Sequence, residues 1–460
     1  MEIFLIEKPI DDLRLSKLTN CSTFSELNFN KGNLKDRFHR SLNKELISCN
    51  YISLNESIKN INQEGIFWTT NVVFLSFELQ KLFIQKLLLS NQSILYGNGS
   101  GFVFKGPSDK LFELIESDFE TQSDYIYIKN EKNLFIVQNS YDYKKLILEQ
   151  PEARYFNRLE TNVDWLKKTS TNIEKIKGEF FQLQNVPNQL NRYFVESRNL
   201  VIGPKACSYE TKRVNGLDLS VLLLNNNFSD ELLSLALNQL KDYFESSFKI
   251  SKRIDENPLS FVLKKNKARI KDLKKWSEFS RFNSFIKNFT GQKNVDETFN
   301  EVNGITASVA KTIYPDTLVY SHGDLCLSNI IIQDETAELT FIDPRGGASQ
   351  DKCFLTPYYD VAKLSHSLLG GYDLIINNLA NISFDIEMMA KLNFSLDLND
   401  NQEIFGEFVS SIGLDLKIVR LVEISLFLSM LPLHIENFRK VTLLYLRALE
   451  LLNTYKERYL

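Results

Sequence analysis

In the stretch SHGDLCLSNIIIQDETAELTFIDPRGG, from Ser321 to Gly347, the polar residues His322, Asp324, Asn329 and Asp343 stand among apolar runs and glycines. Ile330 to Gln333 and Leu339 to Ile342 are strand-like and are joined by a polar turn. Paired as an antiparallel hairpin, they bring Asn329 and Asp343 within about 5 Å of each other at the backbone. An amide oxygen beside a carboxylate suits a hard cation such as Mg²⁺. That ion takes few protein ligands and completes its shell with phosphate oxygens and water. Asp324 precedes the hairpin on its entry loop, where a carboxylate can orient a hydroxyl and accept its proton. Metal ligands and a base beside a nucleophile are the parts that phosphoryl transfer needs. The plainer alternative is a hairpin whose acids cap turns.

The pattern H-G-D-x-x-x-x-N, here His322-Gly323-Asp324 through Asn329, followed by a hydrophobic residue, Ile342 and Asp343, resembles the aminoglycoside phosphotransferase and choline kinase families. Those families share a protein-kinase-like fold. The resemblance implies an ATP- and Mg²⁺-dependent small-molecule kinase. Asp324 would be the catalytic base, Asn329 and Asp343 the magnesium ligands, and His322 a structural member of the catalytic loop. Asp360, in YYDVAKL, matches the position at which an aspartate caps the following helix and braces that loop. The resemblance covers about Arg154 to Leu460 and is specific mainly at the opening stretch.

Such a site also needs a cation on the nucleotide phosphates. WLKKTST offers Lys167 and Lys168 at a strand end, and the next helix carries Glu179, whose ion pair with a lysine would aim it at the phosphates. Alternation puts Val163, Trp165 and Lys167 on one face and Leu166 and Lys168 on the other. Lys167 is preferred and Lys168 stays open. Both as ordinary surface lysines is the competing reading. The turn ETNV would cover the phosphates, although it lacks glycine. YETKRVNGLDL, Tyr209 to Leu219 and including Glu210, is read as the connection between lobes, where a nucleobase would bind. Arg345 is a candidate contact to substrate or to an acid, and Tyr359 is assigned to the core. Gly97, Gly99 and Gly101 in YGNGSGFVFKG form a rival glycine loop. A glycine cluster alone is weak, and it is read as a hairpin turn.

The rest of the chain must position these groups. RYFNRLETNVDWLKKTST reads as two strands around a turn, and NIEKIKGEFFQLQNVP as a helix ended by Pro187. SDELLSLALNQLKDYFESSF begins a mainly helical region, with Ser229 as N-cap. The expected fold is α+β and bilobal, with a strand-rich lobe over 151–220 and a helical lobe over 221–460. A separate α/β domain over 1–150 precedes them. That first part is faintly similar, for instance at STFSELNF, to nucleotidyltransferases that accompany kinase-like halves in surface-polysaccharide biosynthesis. It lacks their glycine-rich basic loop, which implies a degenerate or binding-only domain.

At 460 residues, 43% hydrophobic and 24% charged, the chain is long enough for more than one globular domain. A net charge of −4 without a dominant basic block argues against nucleic acid. Basic residues do gather in KKNKARIKDLKK. A solvated helix face is the preferred reading there, and a rim for an anionic substrate the sharper one. Five scattered cysteines and four histidines disfavour a disulfide framework or a zinc site and suit a reducing compartment. The N-terminus is not that of a secretory signal, and IVRLVEISLFLSMLPL carries Arg420 and Glu423, so it is read as a buried helix. A soluble, cytoplasmic enzyme is expected, its acceptor a hydroxyl on a sugar, amino alcohol or polysaccharide precursor. A non-catalytic nucleotide-binding scaffold and a kinase acting on protein side chains are the alternatives. Oligomeric state is left open.

Overall fold

The computed structural model describes residues 2–11, 21, 23–26, 49–52, 61, 64–74, 77–90, 92–98, 100–117, 119, 125–128, 134–138, 142–143, 157–161, 164–224, 229–255, 257–313, 317–347, 349–377, 379–384, 390–394, 398 and 401–460. The chain divides into two compact units, residues 1–152 with 225–227, and residues 153–224 with 228–460.

The first unit contains β1 (Glu2–Ile6), β2 (Cys49–Ile52), β3 (Glu64–Thr69), β4 (Val72–Phe74), α1 (Phe77–Leu89), β5 (Ser93–Asn98), β6 (Gly101–Pro107), α2 (Ser108–Glu116), β7 (Tyr125–Ile128) and β8 (Leu134–Ile136). Six of the strands form a mixed sheet in the order β2-β1-β3-β6-β5-β7. Successive strand residues point to opposite faces, so both faces of this sheet become apolar. Ile3 and Leu5 pack with Phe83, Ile84 and Leu87 of α1. Phe4 and Ile6 pack with Leu111 and Leu114 of α2. Helices on both faces make this unit α/β. The glycine run is the β5–β6 hairpin, with Asn98 opposite Gly101. Gly99, and half of STFSELNF (residues 22 and 27–29), lie outside the described residues.

The second unit opens with β9 (Asn157–Thr161), β10 (Trp165–Ser170), α3 (Ile173–Gln184), β11 (Ser197–Ile202) and β12 (Cys207–Lys212). These strands form an antiparallel sheet in the order β11-β12-β10-β9. The Asn172 side chain caps α3 by accepting from the Lys175 N–H at 3.2 Å. The helix stops at Gln184, before Pro187. Of the ETNV turn, Asn162 and Val163 lie outside the described residues. β13 (Gly216–Asp218) follows β12 and pairs with the later hairpin.

Next come α4 (Leu219–Leu224), α5 (Asp230–Phe248), β14 (Ser251–Arg253), α6 (Ser260–Leu273), α7 (Phe279–Thr290), α8 (Val295–Val309) and β15 (Thr317–Tyr320). The hairpin is β16 (Ile330–Gln333) and β17 (Leu339–Phe341), and after it come β18 (Phe354–Leu355), α9 (Tyr358–Leu368) and α10 (Tyr372–Ile376). The unit ends with β19 (Ala380–Phe384), β20 (Ala390–Phe394), α11 (Gln402–Ser411), α12 (Leu416–Met430) and α13 (Phe438–Tyr459). A strand-rich lobe therefore precedes a helical one. Ser229 caps α5 through the Leu232 N–H at 3.3 Å. The helical core centres on α12 and α13, where Leu421, Ile424, Phe427 and Leu428 meet Val441, Leu444 and Leu452. Arg420 and Glu423 of α12 pair at 2.6 Å through Glu423 Oε2, which sets a counter-charge beside a carboxylate with no exposed surface. Among the described residues no helix is long and apolar enough to cross a membrane.

One close approach ties the two lobes. Gly346 has φ 83°, and a Cβ built on it would lie 2.6 Å from the backbone N of Glu179 and 2.8 Å from the carbonyl carbon of Gly178. Only glycine fits such a contact, for reasons of both dihedral and space. Gly346→Ala is expected to cost about 1–3 kcal/mol and to move the loop after Asp343 off α3. Urea unfolding of the variant against the wild type measures the first effect. Chemical-shift changes at Glu179 and Gln182 report the second.

Candidate active site

The hairpin register sets the geometry. Ile330 pairs with Phe341 and Ile331 with Thr340. Asn329 therefore faces Ile342, whose N–H donates to the Asn329 carbonyl at 3.0 Å. Asp343 sits one step beyond, where an extended strand would turn its side chain to the opposite face from Asn329. It does not continue the strand: its φ is 53°, in the left-handed region that non-glycine residues rarely occupy. That turn ends the alternation and aims the Asp343 carboxylate at Lys168 of β10, 3.0 Å away.

Lys168 is the hub. Its side chain is 4% exposed, and Nζ also meets Glu179 Oε2 of α3 at 2.8 Å. Glu179 is held in turn by the Tyr209 hydroxyl at 3.1 Å and by Lys175 at 3.2 Å. Burial works against the Lys168 charge, but Asp343 and Glu179 outweigh it and raise its pKa above the ordinary lysine value. At Asp343, desolvation opposes ionisation, and Lys168 more than offsets it, holding the carboxyl below its usual range. About half of the Asp343 side chain, 48%, remains accessible for a ligand. The preference for Lys167 is thus reversed. β10 turns Lys168 toward α3, whereas Lys167 stands across from Glu210 on β12.

Glu210 does not lie on the connection between the sheets, where the sequence reading put it. It lies within β12, in register between Lys167 and Arg198. Arg198 and Asn199 each donate to its carboxylate at 2.9 Å. These hydrogen bonds, with Lys167 opposite, hold its carboxyl below the ordinary glutamate value. The chain between the two sheets is Arg213 to Asn215, after β12 and before β13 and inside the stretch Tyr209 to Leu219.

The loop carrying Asp324 is fixed from several sides. His322 has no exposed surface. Its Nε2 lies 2.9 Å from the Ile342 carbonyl, which can only accept, so Nε2 carries the proton. Nδ1 then accepts the Asp324 N–H at 3.3 Å. Burial lowers the His322 pKa to about 4, so the ring is neutral near pH 7. His322, a structural member of the loop by the resemblance, is sealed from any ligand. Asp360 lies in the first turn of α9, and its carboxylate accepts the Gly323 N–H at 2.8 Å. It braces the loop as expected. The helix cap is a different matter, because the N-cap is Pro357 without a side-chain bond. The Asn329 amide donates to the Asp324 carbonyl at 2.8 Å, which leaves its oxygen as the acceptor end.

Two side chains invisible to the sequence reading complete the frame. Gln182, one turn after Glu179 on α3, donates to the Ser321 carbonyl at 2.8 Å and accepts the Gly346 N–H at 2.9 Å. Lys363, one turn after Asp360 on α9, meets Asp324 Oδ1 at 2.7 Å. The three-residue spacing that puts such pairs on one helix face was the available signal. Arg345 lies over the Phe261 ring at 4.2 Å, and Tyr359 is 2% exposed.

The donor set near Asp343 suits a hard cation. Asn329 and Asp343 offer one amide oxygen and one carboxylate, few enough that phosphate oxygens and water would supply the rest of the shell. Among the described residues no group of three or more His, Cys, Asp or Glu side chains could hold a metal ion by itself.

No family model matches the chain, and no curated protein matches it. Among solved structures it is similar to aminoglycoside phosphotransferase APH(4)-Ia, crystallised as a thermostable mutant with ADP and hygromycin B. Identity is 9%, coverage is 68% of this chain and 98% of that one, and the TM-score is 0.42. The GDP complex of aminoglycoside 2'-phosphotransferase-IIIa aligns at 14% identity over 69% and 98% of the two chains, with a TM-score of 0.39. Aminoglycoside-3'-phosphotransferase of type VIII aligns at 11% over 59% and 93%, with a TM-score of 0.34. Likenesses at this level say nothing about activity.

Removing the buried ammonium leaves Glu179 with only the more exposed Lys175 as counter-ion. Lys168→Met is expected to destabilise the protein by about 3–5 kcal/mol, and Lys168→Met with Glu179→Leu by clearly less than the sum of the singles. Denaturant midpoints for the three variants check this.

Asp360 gives a pH signature. Burial pushes its pKa up to about 7. The unfolded chain releases this proton near pH 4 and the folded one near 7, so the wild type loses stability as pH rises between those values. His322 acts in the opposite sense between about 4 and 6.5 and masks part of the loss. Asp360→Asn removes only the Asp360 contribution. Its stability relative to wild type should therefore improve from pH 4 to 7, by at most about 1.4 kcal/mol per pH unit. Thermal melts across that range measure the difference.

Proposed function

We propose that the protein transfers a phosphoryl group from ATP to a hydroxyl of a small molecule. The observation that carries this reading is the meeting, in one unit, of a buried Lys168–Glu179 pair, Asp343 on a left-handed turn, and Asn329 and Asp324 on a braced loop. A structural ion pair alone needs neither an exposed Asp343 held at positive φ nor a second carboxylate on a loop fixed by His322 and Asp360.

Lys168 would hold the phosphates of the nucleotide, kept in place by Glu179 and, through it, by Tyr209. Asn329 and Asp343 would hold Mg²⁺, which supplies neutralisation of charge on the phosphate oxygens when bound. Asp324 would orient the acceptor hydroxyl and take its proton, with its carboxylate fixed by Lys363. His322, Gln182 and Asp360 keep the base at a fixed distance from the phosphate side, so the reactants meet in a near-attack arrangement. The nucleobase would lie against the connection from Arg213 to Asn215. The acceptor would be a sugar, amino alcohol or polysaccharide precursor.

Incubation with labelled ATP, Mg²⁺ and a panel of sugars, amino alcohols and nucleosides tests the reading. Phosphate should appear on one class of alcohol. Asp324→Asn should lower kcat by about 10²–10⁴-fold while ATP affinity stays within a few-fold. Asp343→Asn should remove turnover together with magnesium-dependent ATP binding. Unchanged turnover in Asp343→Asn would reject the assignment, and label on added polypeptide but on no alcohol would redirect it to protein side chains.

A further inference from the structure

Beside Asp324 lies a concentration of positive charge that the transfer reaction as described does not use. Lys265 of α6 donates to the Tyr359 hydroxyl at 2.7 Å. The Arg345 guanidinium lies 4.2 Å from the Phe261 ring centroid and 6.0 Å from that of Tyr359. Its Nη1 is buried and has no hydrogen-bond partner among the described residues. Lys363 reaches Asp324 from the same helix as Tyr359. Lys265, Arg345 and Lys363 thus surround one phenol, with Asp324 as the nearby carboxylate. Asp360 adds only part of a negative charge near pH 7, since burial pushes its pKa up to about 7. Burial opposes ionisation of Tyr359, yet the three cations prevail and lower its pKa below the usual phenol value. Burial and the neighbouring cations Lys363 and Arg345 lower that of Lys265, despite the help of Tyr359.

Like charges held this close repel, and a buried guanidinium nitrogen without an acceptor costs free energy. Neither Lys265 nor Arg345 makes a salt bridge among the described residues. The phosphate side of the cleft already has its cation in Lys168. The rest of the basic run on α6 behaves as a solvated face, with Lys264, Lys267 and Lys271 exposed. Lys265 is the member that turns inward, at the helical spacing that also puts Phe261 against Tyr359.

We infer that Lys265 and Arg345 form an anion subsite beside Asp324, so that the acceptor is a hydroxyl compound carrying a carboxylate or phosphate, such as a sugar acid or a sugar phosphate. This deepens the kinase reading and rests on it for the reaction. The anion would accept hydrogen bonds from Arg345 and Lys265 and hold the neighbouring hydroxyl at Asp324. Lys363 stays with the base.

The test uses the full chain and three acceptor probes of one sugar type: a neutral hexose, a hexuronic acid and a hexose phosphate. Binding of each is measured by calorimetry without nucleotide, and phosphoryl transfer from Mg-ATP is measured separately. An anionic probe should bind at least ten-fold more tightly than the neutral one and be the better acceptor, and the two anionic arms identify which group is read. Lys265→Met and Arg345→Met should raise the acceptor KM at least ten-fold, erase the preference for the anion and leave the affinity for Mg-ATP unchanged. Retained ATP binding also shows that the variants fold. Equal binding of neutral and anionic probes, or variants that raise the KM for ATP instead, would overturn the subsite while the kinase reading stood. Anion binding lost in Arg345→Met, in a protein that binds no Mg-ATP, would keep the subsite and reject the kinase.

Discussion

A lysine ammonium buried between two carboxylates is the constraint on which the second unit is organised. Lys168 comes from a strand, Glu179 from the helix after it and Asp343 from a hairpin far along the chain. Taking these charges from water is unfavourable, and only close mutual contact offsets the loss. The lobes therefore meet in a definite way. The same demand explains the Gly346 contact with α3, because the loop after Asp343 must run against the backbone of the helix that bears Glu179.

Positioning around this hub is done mainly by groups that never face a ligand. His322 joins the Ile342 carbonyl to the Asp324 N–H, so Asp324 is tied to the end of β17. Gln182 links the start of the same loop to Gly346. Asp360 takes the Gly323 N–H, where φ 82° makes glycine the suitable residue. Each is buried and hydrogen-bonded, so small displacements of the loop are resisted from three directions. A buried polar network of this kind is rigid only when every member is satisfied.

The hairpin residues were legible in the sequence because Asp324, Asn329 and Asp343 lie close along the chain and local pairing brings them together. Even there the strand pattern pairs Asn329 with Ile342, and the left-handed turn at Asp343 had no signal in the composition of IDPRGG. The choice between Lys167 and Lys168 was not legible. Alternation separates their faces, but which face meets α3 depends on packing between strand and helix. Glu210 was misplaced for a related reason, since its partner Arg198 sits on a neighbouring strand whose register shifts between Arg198 and Val201. The α/β character of the first unit, and its glycine hairpin, followed from strand alternation and turn chemistry. Lys265, Arg345 and Lys363 come from separate segments, and no single stretch reveals that they converge on Tyr359.

The central claim is that Lys168, Asn329 and Asp343 together hold a triphosphate with a divalent ion. Calorimetric titration of ATP into the intact protein, with and without Mg²⁺, tests it most directly, alongside Asn329→Ala, which leaves the Lys168 ion pairs in place. The account predicts binding that strengthens at least ten-fold with Mg²⁺ in the wild type and loses that dependence in Asn329→Ala. ATP affinity that is the same with and without the ion, or a magnesium dependence that survives the substitution, would contradict it.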